Sequence, residues 1–161
     1  MTGCSTSSSS TRKSRTLACP GCELHEGFYG AFVALWPGIE AALTTYGALT
    51  APYVYVTGHS LGAVIGEIAT FELVAKGYPV TKAYSFGTPR AGNPAWAAAY
   101  YDSVIVSKGV ESFRVIHDRD PVPHLPPQWL PAVSKHAPQA GANSTEWFRH
   151  PPTEVWYNRA E

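Results

Sequence analysis

The apolar residues change period once in the middle of the chain. Tyr53-Val54-Tyr55-Val56-Thr57 is an unbroken β-branched and aromatic run, the composition a buried strand prefers. From Leu61 the apolar positions fall at helical spacing, with Leu61, Ile65 and Ile68 on one stripe and Val64, Phe71 and Ala75 beside it. The segment therefore predicts a strand, a sharp turn and a helix, with Ser60 at the turn. Upstream, Phe28 to Tyr46 reads as a helix with Phe28, Phe32, Leu35, Ile39 and Leu43 on one face, kinked or split at Pro37 and ended by Gly47. Downstream, Lys82–Phe86 and Glu111–His117 read as strands, Ala95–Tyr101 as a short helix, and Glu154–Tyr157 as a last short strand. On Glu111–His117 the alternation puts Phe113, Val115 and His117 on one face, Arg114 and Ile116 on the other. Gln128 to Ser144 is irregular. Strands alternating with helices predict an α/β fold on a mostly parallel sheet.

Length and composition narrow this little. The 161 residues suffice for one domain with a real core, and 45% of them are apolar. Twelve basic residues balance twelve acidic ones, so nothing points to nucleic acid or an anionic membrane as partner. No apolar run is long enough to span a bilayer. Residues 1 to 17 read as a disordered tail: they include the Ser7–Ser10 run and Arg12, Lys13 and Arg15, with no acid before Glu23. The tail lacks the apolar core of a secretory signal, so no route to export is visible in the chain as written, and the compartment stays open. Residues 18–161 form the expected domain. The three cysteines, Cys4, Cys19 and Cys22, all precede it or open it. Cys19-Pro20-Gly21-Cys22 lacks the preceding strand of a redox motif and the second ligand pair of a zinc site, so a thiol redox role is weakly supported and a small local disulfide is the simpler reading.

The chemistry sits at the period change. Gly58-His59-Ser60-Leu61-Gly62 has the G-x-S-x-G spacing of a nucleophile elbow. A sharp turn lifts the serine hydroxyl clear of strand and helix, and glycines on either side let the two elements approach. The N–H of Leu61, in the first helical turn, is then placed to stabilise an oxyanion. Serine needs a base to take its proton, and the base needs a carboxylate to fix its tautomer. With the chain order serine, acid, histidine, the acids are Asp118 or Asp120 and the bases His124, His136 or His150. Order alone does not choose. Asp118 to Pro127 has prolines at four of its last seven positions, which hold it extended.

Five pieces in order resemble the fungal class 3 lipases and the related feruloyl esterases. They are Cys22-Glu23-Leu24-His25-Glu26-Gly27-Phe28; Thr57-Gly58-His59-Ser60-Leu61-Gly62-Ala63; Ser85-Phe86-Gly87-Thr88-Pro89-Arg90-Ala91-Gly92-Asn93; Arg114 through Pro127; and His150 with Glu154-Val155-Trp156-Tyr157. The resemblance implies part of an α/β-hydrolase fold and a serine carboxylic-ester hydrolase acting on acylglycerols or related esters. It implies Ser60 as nucleophile, Asp120 as triad acid and His150 as base, and supports a Cys19–Cys22 disulfide. His59 becomes a packing or supporting residue, His25 and His117 structural histidines, and His124, His136 and Asp118 bystanders. No metal or organic cofactor is implied. The partner is a lipid or small-ester substrate, with a lipid–water interface as one place to meet it. The family is mostly secreted.

The family also carries an N-terminal portion with the first strands, a lid helix and an Arg-Gly-Ser/Thr loop that supplies a second oxyanion donor. Neither tripeptide occurs here. Losing one such donor costs roughly 10²–10³ in kcat. The competing expectation is therefore a catalytically inactive, truncated homologue, acting as a binding module or as a non-functional fragment.

Overall fold

The structure is a computed structural model that describes residues 11–13, 19–127 and 148–158. Its frame is a four-stranded, wholly parallel sheet in the order β3 (Val54–His59), β4 (Val80–Phe86), β5 (Glu111–His117), β6 (Glu154–Tyr157). Two more strands, β1 (Thr11–Lys13) and β2 (Glu23–His25), pair antiparallel apart from it. The expected disordered tail is therefore corrected at Thr11–Lys13, whose pairing with Glu23–His25 a serine-rich, apolar-poor context does not reveal. The irregular stretch expected from Gln128 onward, and with it His136, lies outside the described residues.

The helices follow the apolar spacing. α1 (Glu26–Thr45) runs through Pro37 without ending there, and its C-terminus passes into Gly47 at φ 65°. α2 (Leu61–Ala75) packs on β3 and β4, and α1 packs on α2. α3 (Pro94–Tyr100) starts from Asn93, whose side-chain oxygen accepts the Trp96 N–H at 3.0 Å. It continues as a π-helical turn, Tyr101–Val106, that the sequence does not signal. Val64, Ile68, Phe71, Trp96, Tyr100 and Val104 fill the space between α2 and α3, with the Trp96 ring 5.1 Å from Phe71 and 5.9 Å from Tyr100. Cys19 and Cys22 are joined by a disulfide at the start of β2.

Two features depart from the apolar pattern. β3 is not buried on both faces: among the described residues it ends the sheet, and Tyr53 and Tyr55 at β3, like Tyr84 and Phe86 of β4, are exposed. In β5 the buried face is the one carrying Arg114 and Ile116, each 6% exposed, while Phe113 and Val115 are only half-buried. The core accepts Arg114 because its Nη2 donates to Glu154 Oε2 on the neighbouring strand at 2.6 Å.

Glu67 on α2 is a second buried charge. One of its oxygens accepts the Ser85 hydroxyl at 3.2 Å and the other has no partner. A cavity of about 10 Å³, bounded by Gly58, Gly66, Glu67, Thr70, Ser85 and Ser112, lies beside it. Burial outweighs the attraction of Arg114 and raises the Glu67 pKa from 4.5 to about 7. Between those values the folded protein keeps a proton that the unfolded chain has released, so stability falls as pH rises through that window. Glu67→Gln keeps the bond to Ser85 and removes this penalty. Thermal unfolding should show a gain of up to about 3 kcal/mol at pH 8 that vanishes near pH 4.

Candidate active site

The site is built at the carboxyl ends of β3, β4 and β5, where an open parallel sheet gathers its functional loops. Ser60 joins β3 to α2 with φ 54° and ψ −124°, a region that L-residues rarely occupy. Three contacts hold it there. The Ser60 N–H donates to Phe86 O at the end of β4 at 2.9 Å. The Ser60 carbonyl accepts from Ala63 at 3.0 Å and from Val64 at 3.3 Å, which starts the helix at once. Gly58 lets the helix press on the strand, because a Cβ there would overlap the Gly62 carbonyl. Leu61 is the first residue of α2, so its N–H has no acceptor within the helix.

Asp120 comes close to the elbow at a second glycine. Gly87, at φ 56°, follows β4, and its N–H donates to Val115 O on β5 at 3.0 Å. A Cβ on Gly87 would lie 2.7 Å from Asp120 Oδ2 and 3.7 Å from His59 Nε2. The carboxylate of Asp120 is thus laid over Gly87, next to the ring of the residue preceding Ser60. Asp120 Oδ1 accepts the Val122 N–H at 2.9 Å, which fixes the carboxylate's orientation within its own loop. Among the described residues no hydrogen bond joins His59 to Asp120.

His150 stands elsewhere. Its Nε2 is 2.8 Å from Pro123 O, and because a carbonyl only accepts, that nitrogen carries the proton. Its Nδ1 is buried without a partner. Burial first, and then the neighbouring Arg114 guanidinium, push its pKa down to about 3. Among the described residues, no hydrogen bond links His150 to Ser60 or to Asp120, so the expected triad is not assembled through this ring. Arg149 N–H donates to Gly92 O at 2.8 Å and Arg114 N–H to Thr153 O at 2.8 Å, which tie down the backbone on either side of His150. His124 follows Asp120 by four residues, is exposed, and lines the same cavity as His150. Asp118, expected to be a solvated bystander, is a turn residue at φ 46° whose N–H donates to Tyr157 O at 3.0 Å and whose carbonyl accepts from Trp156 Nε1 at 3.0 Å. His25 packs 4.3 Å from the Phe28 ring, and His117 4.9 Å from Tyr157, as structural histidines do. No cluster of His, Cys, Asp and Glu suited to a metal occurs among the described residues.

Arg114, Gly87 and Gly92 were not singled out by the sequence reading. Only Gly87 had a visible signal, its place directly after a strand. Gly92 lies so close to β2 that a Cβ would overlap Glu23 O, and its carbonyl accepts from Arg149.

The family model for lipase (class 3) matches residues 3–129. The chain belongs to the class 3 lipase family. It is 38% identical over 109 residues to the secreted mono- and diacylglycerol lipase A of Penicillium cyclopium, which covers 67% of this chain and 34% of that protein. It is 33% identical over 144 residues to a lipase of Rhizopus niveus, covering 84% of this chain and 31% of that one. Among solved structures, the MDLA protein from Penicillium cyclopium superposes with a TM-score of 0.68 at 29% identity, over 94% of this chain and 49% of that one. A lipase from Rhizopus microsporus var. chinensis gives a TM-score of 0.66 at 26% identity, over 91% and 45%. The fold is accordingly part of an α/β-hydrolase. The chain spans about a third of the length of the curated relatives it matches.

The class 3 lipase elbow has two glycines, and they are not equivalent here. Gly58 abuts the Gly62 carbonyl, whereas a Cβ on Gly62 meets nothing within 4 Å. Gly58→Ala should cost about 2 kcal/mol or more by forcing helix and strand apart. Gly62→Ala should be neutral or stabilise by up to about 1 kcal/mol, as alanine does in a helix. Urea unfolding of the two variants checks the contrast.

Proposed function

We propose that this chain carries the nucleophile and acid of a serine carboxylic-ester hydrolase acting on acylglycerols or related esters. The observation that carries the reading is Ser60 in a strained strand-to-helix turn with the Asp120 carboxylate laid over Gly87 beside it. Ser60 Oγ attacks the ester carbonyl and the Leu61 N–H receives the negative charge on the oxygen. A general base takes the serine proton and returns it to the leaving alcohol, and water then releases the acid. The Asp120 carboxylate, laid over Gly87 beside the elbow, is placed to orient that base. The relatives' names, a mono- and diacylglycerol lipase and a lipase, support lipid esters as the substrate class.

The base assigned from the sequence, His150, does not suit this role as arranged. Its Nε2–H is committed to Pro123, and a pKa near 3 is far from the near-neutral value that general-base catalysis favours. The proposal therefore rests on Ser60, Leu61 and Asp120. The alternative, an inactive homologue serving as a binding module, is favoured by the single oxyanion donor the elbow supplies.

The discriminating assay is hydrolysis of p-nitrophenyl butyrate by the purified chain beside Ser60→Ala and Asp120→Asn. The rate should fall at least about 10³-fold in Ser60→Ala and by a comparable factor in Asp120→Asn. Equal rates for the chain and Ser60→Ala would leave the binding-module reading in its place.

A further inference from the structure

We propose that His150 is a positioning residue, a neutral imidazole that holds the loop carrying Asp120 by donating its Nε2–H to the Pro123 carbonyl. This rests on the assignment of Asp120 as the acid.

The Asp120–Pro127 loop is rich in acceptors and poor in donors. Pro121, Pro123, Pro126 and Pro127 each offer a carbonyl and no N–H. Within the loop, His124 N–H bonds Pro121 O and Leu125 N–H bonds Val122 O, both at 3.0 Å, which closes one short turn. The carbonyls of Pro123, His124 and Pro126 are satisfied from outside, by side chains. Arg90 Nη1 donates to His124 O and to Pro126 O. His150 donates to Pro123 O at 2.8 Å. Pro123 is buried, so without His150 its carbonyl has to find another donor or move.

That movement would reach the acid. Pro123 is three residues beyond Asp120, and the intervening Val122 N–H is the donor that orients Asp120 Oδ1 at 2.9 Å. Displacing the Val122–His124 turn therefore turns the carboxylate over Gly87. The ring itself is delivered from rigid backbone, between the Arg149–Gly92 bond and the pairing of β6 with β5.

The other end of the ring has a matching neighbour. His150 Nδ1 lacks a donor, and Arg114 Nε and Nη1 lack acceptors. Arg114, His150 and Glu154 line the same two cavities, of about 330 and 450 Å³. An unpaired acceptor and two unpaired donors thus face shared cavities wide enough to admit a bridging water. Arg114 is bonded to Glu154 and His150 to Pro123 O, so each side of that space is anchored separately.

The test compares His150→Gln, whose amide N–H₂ can reach Pro123 O, with His150→Phe, which keeps a ring and removes the donor. The first readout is amide hydrogen exchange at Val122 by NMR. It should speed up at least tenfold in His150→Phe and stay within threefold of the parent in His150→Gln. The second is p-nitrophenyl butyrate kinetics: His150→Phe should lower kcat at least tenfold with KM within twofold, and His150→Gln should recover most of it. An unchanged Val122 exchange rate in folded His150→Phe would overturn the proposal. Loss of kcat to the same extent in both variants, with Val122 protection intact, would overturn it too and return His150 to the base. The exchange measurement stands apart from catalysis. If Ser60→Ala proves as active as the parent, the site reading fails while Val122 still reports whether the strut exists.

Discussion

One close approach governs the candidate site: the backbone of Gly58 lies against the Gly62 carbonyl, with no side chain between strand and helix. That proximity makes the chain reverse within one residue. Ser60 absorbs the reversal at φ 54°, and its N–H is captured by Phe86 O on β4. A positive φ at a non-glycine residue costs on the order of 1–3 kcal/mol and persists only where the surroundings over-determine it. Here they do: nine residues of α2 are buried, and its face against β3 and β4 leaves no room for a gentler turn. The hydroxyl is presented because the packing is tight.

The polar groups beneath the elbow follow from the same packing. Glu67 and Arg114 reach the interior from α2 and β5, each with part of its hydrogen-bonding capacity unmet. They sit close enough for Arg114 to oppose the rise in the Glu67 pKa. A core built this way is costly in stability, as unsatisfied buried polar atoms are. Arg114 also pairs with Glu154 across β5 and β6, which places an ion pair at the rim of the sheet.

Much of this was legible in the amino acids. The change of period at Gly58 located the elbow and gave β3 and α2 within a residue or two at their near ends. Glu111–His117 and Glu154–Tyr157 match the strands found. What was not legible has physical reasons. Tyr53 to Thr57 is apolar or β-branched on both faces, so the run could not reveal that one face stays exposed. An arginine in a strand reads as a surface residue unless its partner is known, and Glu154 lies forty positions away. Asp120 was proposed as the acid by resemblance alone, and its place over Gly87 was not legible in the spacing. The bond from His150 Nε2 to Pro123 O was not legible, because it joins residues 27 positions apart that no spacing relates.

The most direct measurement is a crystal structure of the chain at a resolution that fixes backbone dihedrals. The account predicts Ser60 at a positive φ near 54°, its N–H on Phe86 O, and the Asp120 carboxylate in contact with Gly87. Ser60 in helical conformation as the first residue of a longer α2, with Asp120 away from Gly87, would contradict it.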